Sequence, residues 1–128
     1  MPKRPQPPLL QCASTLADEV FSFSRSEPIE RDRGMRDKLG MCATAIEEEL
    51  TEGYQSRDRR RFRDALHRAK MWAMELEFHL RFVVTMGYAP RSAVAEYIRD
   101  CDEVSRRIER LQEKLGYNTK DWSIEDGE

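Results

Sequence analysis

Apolar residues recur along this chain at three- and four-residue steps in four separate blocks, and that period is helical. The first block runs from about Leu9 to about Ser24. Leu9, Cys12, Leu16, Val20 and Phe23 share one face of it, and Ala13, Ala17 and Phe21 widen that face. The second begins at Pro28 or a few residues later and runs to Thr51 or Glu52. Its seam is Met35, Leu39, Cys42, Ile46 and Leu50. Proline suits a first helical turn, and Gly53 is the expected left-handed stop. Gly40, inside this block, is the candidate for a close helix crossing.

The third block starts near Asp58, a good N-cap type. It carries the most regular seam: Phe62, Leu66, Ala69, Ala73, Leu76, Leu80 and Val83. One residue before that seam runs a second line, Ala65, Trp72, His79 and Met86, at seven-residue spacing. This gives the helix a second apolar edge, read as either a wide core contact or a subunit interface. Gly87 ends the block. The fourth follows Pro90, with Val94, Ile98, Cys101, Val104, Ile108, Leu111 and Leu115 as its seam and Gly116 as its stop.

Four helices with short connections predict an all-α, antiparallel up-down four-helix bundle over residues 9–116. The prolines of residues 1–8 predict a flexible or extended N-terminal arm. Residues 117–128 form an acidic tail. It reads either as solvated chain or as a segment that Trp122 anchors in a groove.

Composition changes this picture little. At 128 residues one domain is expected, and 36% charged against 39% hydrophobic residues suits amphipathic helices. The formal net charge of -2 argues against a dedicated nucleic-acid binder, which carries a positive excess. Cys12, Cys42 and Cys101 are odd in number and widely spaced, so they predict buried small hydrophobes and no disulfide or zinc framework. No apolar run approaches a membrane span, and the expectation is a cytoplasmic protein.

The distribution of charge says more than its sum. Glu47, Glu48, Glu49 and Glu52 crowd the end of the second helix, and Arg57, Arg59, Arg60, Arg61 and Arg63 crowd the start of the third. Both placements oppose the helix macrodipole. Two accounts offset that cost. The clusters neutralise one another across the turn or across a subunit boundary, which would put Glu48 and Glu52 at an interface with Trp72, His79 and Met86. Alternatively, the arginines await an anionic partner such as a phosphate backbone. Arg31, Arg33, Arg36 and Lys38 extend the basic surface if they lie nearby.

Catalytic chemistry finds no purchase. His67 and His79 are the only histidines, and a bundle di-iron site needs Glu-x-x-His on two helices. Glu75 and His79 form an ordinary one-turn pair. Ser56 and Ser92 sit at turns, and Gly53 stands alone where a phosphate loop needs several glycines. The expectation is a non-enzyme with no cofactor and no metal.

Glu52-Gly53-Tyr54, the arginine-rich turn, Phe62, Leu66, Ala69, Glu75-Leu76-Glu77, Leu80 and Gly87-Tyr88 together resemble the small four-helix-bundle family encoded by 23S rRNA intervening sequences. The match runs without gaps from Pro28 to Tyr88. It departs from the family in its proline arm, in Glu47 where a proline is common, and in Met71 and Trp72 where small residues are frequent. The resemblance implies a homo-oligomer, with pentamers expected. It also implies kinship with the accessory variability proteins of diversity-generating retroelements, which bind nucleic acid and a reverse transcriptase. Two functions stay open: an oligomer that binds structured RNA or other nucleic acid through Arg57–Arg63, and a scaffold for a protein partner.

Overall fold

A computed structural model of the chain describes residues 6–116. Their regular structure is helical throughout: α1 (Pro8–Ser24), a 3-10 turn (Ile29–Arg31), α2 (Arg33–Ser56), α3 (Arg59–Thr85) and α4 (Arg91–Leu115). The arm expected over residues 1–8 and the tail over 117–128 fall wholly or mostly outside the described residues.

Local chemistry sets the helix ends. Pro8 opens α1, where its missing N–H costs nothing. Asp58 caps α3 by accepting from the Arg61 N–H at 2.9 Å. Gly87, at φ +76°, closes α3 with two reversed hydrogen bonds, Gly87 N–H to Val84 O and Tyr88 N–H to Val83 O, each 3.0 Å. Asp32 does two jobs. One oxygen accepts from the Met35 N–H at 3.1 Å, capping α2, and the other accepts from the Tyr88 hydroxyl at 2.7 Å. The start of α2 is thereby tied to the connection between α3 and α4.

Each helix packs on its sequence neighbours, and α1 closes against α4. Connections this short between long helices in contact run each helix back along the last, the up-down arrangement. One core fills the centre. The α3 seam is fully buried over its whole length, and Leu39, Cys42, Ile46 and Leu50 of α2 are equally closed. On α4 the seam holds except at Ile98, which is half-buried. On α1 the widened face needs correcting: Leu10 is buried, Phe23 and Cys12 are partly open, and Phe21 points outward, 47% exposed. Burial raises the Cys42 thiol to about 11 and the Cys101 thiol to about 12, so both stay protonated. Cys12 is only partly buried: it packs against the core from the edge of the α1–α4 seam, beside Asp100 and Glu103.

The glycines of α2 behave differently from expectation. The helix starts at Arg33, after its Asp32 cap, and runs through Gly53 to Ser56. Arg57 takes the left-handed position (φ 55°, ψ 21°) expected of Gly53. Gly53 is buried inside the helix because α3 passes against it. A Cβ there would lie 2.6 Å from the Ala65 Cβ and 3.3 Å from a Phe62 ring carbon. At Gly40 a Cβ would meet Phe21 at an ordinary 3.5 Å. The close crossing therefore lies at Gly53, one turn before the α2–α3 connection.

Opposite signs are expected at the two glycines. Gly53→Ala forces overpacking and should cost about 1–3 kcal/mol. Gly40→Ala should gain up to ~1 kcal/mol of helix propensity. Urea unfolding of each variant reads the difference, and equal shifts in both would contradict the crossing.

Candidate functional site

The end of the bundle where α2 turns into α3 carries the arginine run. Asp58 fixes the first turn of α3, so Arg59, Arg60 and Arg61 are its first three residues and Arg63 follows. Arg60, Arg61 and Arg63 are exposed and make no ion pair among the described residues. Two open clefts flank them. One, about 420 Å³, lies between α3 and the end of α4 and is lined by Arg63, Asp64, His67, Arg68, Gln112 and Gly116. The other, about 350 Å³, lies between α2 and α3 and takes in Glu52, Ser56, Arg61, Asp64 and Arg68. Arg61 and Arg63 thus stand on opposite flanks of the same helix start, with exposed Arg60 just before them in sequence. Arg57 and Arg59 also lie at this turn.

The expected neutralisation across the turn is mostly absent within the chain. Glu49 pairs with Arg68 between α2 and α3. Glu47, Glu48 and Glu52 form no ion pair among the described residues. The extra turn of α2 beyond Gly53 explains part of this, since it lifts those carboxylates a turn inside the helix end. The macrodipole effect fades within the last turn, so the acids carry less penalty than their sequence position implies. The arginines, in the first turn of α3, keep theirs.

Other basic residues do not join the surface. Arg31 pairs with Glu27 at 3.1 Å and Arg36 with Asp37 at 3.1 Å. They sit with Arg33 and Lys38 near the start of α2, roughly 30 Å of helix from Arg57. On α4, Arg106, Arg107 and Arg110 are tied to Asp102 and Glu103, a solvated face of weak pairs. Lys70 reaches Glu109 of α4 at 3.2 Å.

The expected second apolar edge of α3 is one position off. Trp72 packs against the core, and His79 is nearly covered, 3.3 Å from Glu75. Met86 is exposed, as are Glu48 and Glu52. The open apolar stripe is instead Met71, Met74, Phe78 and Phe82, with Phe78 60% exposed and its ring stacked 6.3 Å from that of Phe82. By helical angle this stripe lies opposite the core seam. Arg60, Asp64 and His67 continue it toward the start of the helix, so one ridge is charged at one end and apolar along the rest. Steps of three and four among 71, 74, 78 and 82 were visible in the sequence. The stronger seam beside them drew the assignment to the wrong neighbour. A second apolar area lies between α1 and α2, where Phe21 and Met41 border a cleft floored by Gly40 and Ala45.

One carboxylate cluster went unnoticed in the sequence. Glu19 of α1 meets Glu96 and Asp100 of α4, with ligand atoms all within 4.8 Å of one another. One Glu19 oxygen is buried without a hydrogen-bond partner. Burial, then the Asp100 and Glu96 charges, pushes the Glu19 carboxyl above its ordinary range. Asp100 is raised by burial and then by Glu96, with Arg99 opposing.

A family model described as 23S rRNA-intervening sequence protein matches residues 8–110. No curated protein and no solved structure matches the chain. Among the described residues, no helix is long and apolar enough to cross a membrane.

The acidic trio sets a pH dependence. A carboxyl raised on folding favours the folded state below its unfolded value and loses that advantage as pH rises through the raised one. Glu19→Gln should therefore stabilise the protein at pH 7, and the gain should shrink as pH falls to about 4, the ordinary carboxylate value. Thermal melts of both proteins across that range measure it. An unchanged or lower Tm at pH 7 would remove the repulsion. Asp32 works in the other sense. Its carboxyl is held low by the Met35 N–H and then the Tyr88 hydroxyl, so its contribution fails only at acid pH.

Proposed function

The chain belongs to the 23S rRNA-intervening sequence protein family, and we propose that it is a non-catalytic, self-assembling helical bundle that binds structured RNA or another nucleic acid at the α2–α3 turn. One observation carries this reading: Arg60, Arg61 and Arg63 stand exposed around one helix start, without an ion pair among the described residues and beside clefts on both flanks. Guanidinium groups hold phosphate oxygens in bidentate geometry, and clefts walled by protein focus their field. Arg57 and Arg59, at the same turn, enlarge the surface. Cytoplasmic placement, as expected for a nucleic-acid partner, belongs to the same proposal.

Self-assembly, with a pentamer as the expected state, draws on a separate feature. Met71, Met74, Phe78 and Phe82 form an exposed apolar stripe of the kind that marks interaction surfaces. The Phe21–Met41 cleft between α1 and α2 offers a small-residue floor on another side of the molecule. A ridge on one side and a groove on another give a head-to-tail contact, which closes into a ring when its rotation allows. Glu47, Glu48 and Glu52, without an ion pair among the described residues, leave charge for a neighbouring copy or for a protein partner. That is the second reading, in which the arginines meet glutamates across subunits and the assembly serves as a scaffold.

Labelled structured RNA and duplex DNA, titrated at about 50 and 200 mM salt, test the first reading. Three phosphate contacts on a duplex should lose about 40-fold in affinity between those points. Arg60→Glu/Arg61→Glu/Arg63→Glu should abolish binding and leave the oligomer intact. Loss of the oligomer in that variant, with no binding by the parent, would favour the scaffold. Phe78→Glu should lower the mass seen by light scattering to that of one chain. A parent protein already monomeric at micromolar concentration would overturn the assembly.

A further inference from the structure

We propose that residues 59–70 of α3 enter the major groove of B-form duplex DNA, with the outward ridge of the helix toward the base edges and its cationic flanks toward the two phosphate backbones. The inference rests on the arginine surface proposed above and names the nucleic acid that fits it. Three observations support it.

The first is how the side chains divide around the helix. Arg60, Asp64 and His67 follow one another at steps of four and three, so they share one face, and all three are exposed. That face lies opposite the buried seam of Phe62, Leu66 and Ala69. Cations stand on either side of it. Arg61 and Arg68 line the cleft toward α2. Arg63 lines the cleft toward α4, and Lys70 reaches Glu109 of α4. The two residues on each flank are two turns apart, roughly 10 Å along the helix. A polar ridge between two cationic rails separates base contacts from backbone contacts.

The second is what surrounds the rails. The ends of α2 and α4 stand beside the start of α3 and bring Gln55, Ser56 and Gln112 to the clefts. Amides and hydroxyls are ordinary phosphate contacts. Glu52 is the opposing charge in the α2-side cleft, where Arg61 and Arg68 outnumber it. On the ridge, Arg60 suits the two acceptors of guanine, and Asp64 suits the cytosine amine.

The third is size. An α-helix with its side chains is about 10–12 Å across, and the major groove of B-DNA is about 12 Å wide and about 8.5 Å deep. A-form RNA keeps its major groove narrow and deep, closed to side chains. The ridge turns apolar at Met71 and Met74, so its polar part ends after roughly three turns.

One mixed sequence of about 20 base pairs, prepared as a DNA duplex and as an RNA duplex, tests the groove by fluorescence anisotropy with the full chain. DNA should bind about 10-fold more tightly at about 50 mM salt. Equal affinity, or tighter RNA binding, overturns the insertion and leaves the arginine surface standing. No binding to either duplex overturns the arginine surface as well. A second arm reads the ridge. Selection from a random DNA pool should enrich a sequence that the chain prefers about 10-fold over the pool. Methylation of its guanine N7 atoms, which face the major groove, should block binding. Arg60→Ala/Asp64→Ala should erase most of the preference. Arg61→Ala or Arg63→Ala should weaken binding to the enriched duplex and the pool alike and lower the log–log salt slope by about 1. Binding that ignores N7 methylation, failure to enrich any sequence, or equal loss of preference in the flank variants overturns the proposal.

Discussion

The close passage of α3 over Gly53 is the constraint on which the rest of the molecule depends. Gly53 has no side chain, so Ala65 and Phe62 come within a distance that any Cβ would forbid. The Tyr54 and Phe62 rings then pack at 4.8 Å beside it. Because the crossing lies one turn from the connection, α2 has room to continue to Ser56, and only Arg57 and Asp58 remain to reverse the chain. That short reversal fixes where α3 begins. It follows that the arginines stand at the tip of the bundle and not along its side.

The same geometry decides which charges meet. Glu49 and Arg68 face each other because they lie on adjacent turns of two helices held close. Glu47, Glu48 and Glu52 project elsewhere, and three arginines are left to solvent at the helix start, where the macrodipole already disfavours them. A cationic tip on a chain of net negative charge is a local property. Formal charge summed over the sequence hides it, since the residues after Gly116 contribute the excess acid. The opposite face of α3 is unusual in another way. A surface helix in a bundle normally turns polar residues outward, and here Met71, Met74, Phe78 and Phe82 are turned outward instead.

Much of this was legible in the sequence. Periodicity placed the four helices, nearly all of the α2, α3 and α4 core, and the Asp58 and Gly87 ends, because those depend on local spacing and local capping. The family was legible from the joint spacing of short motifs across α2 and α3, and the match over residues 8–110 agrees with it. The arginine cluster was legible as a run, though whether acids neutralised it was not. The helical stripe at 71, 74, 78 and 82 was present but was assigned one residue away, at Trp72, His79 and Met86.

What the sequence determined by itself is therefore the number of helices, their inward faces and the location of the charge runs, since each follows from a repeat within one segment. What only the tertiary structure decided is which glycine serves a crossing, which carboxylates find a partner and which apolar residues remain outside. Gly40 and Gly53 look alike in sequence and differ only in what lies across from them. Glu19, Glu96 and Asp100 are unremarked until α1 is laid against α4. Contacts of that kind depend on distances between helices, and no spacing within a single helix contains that information.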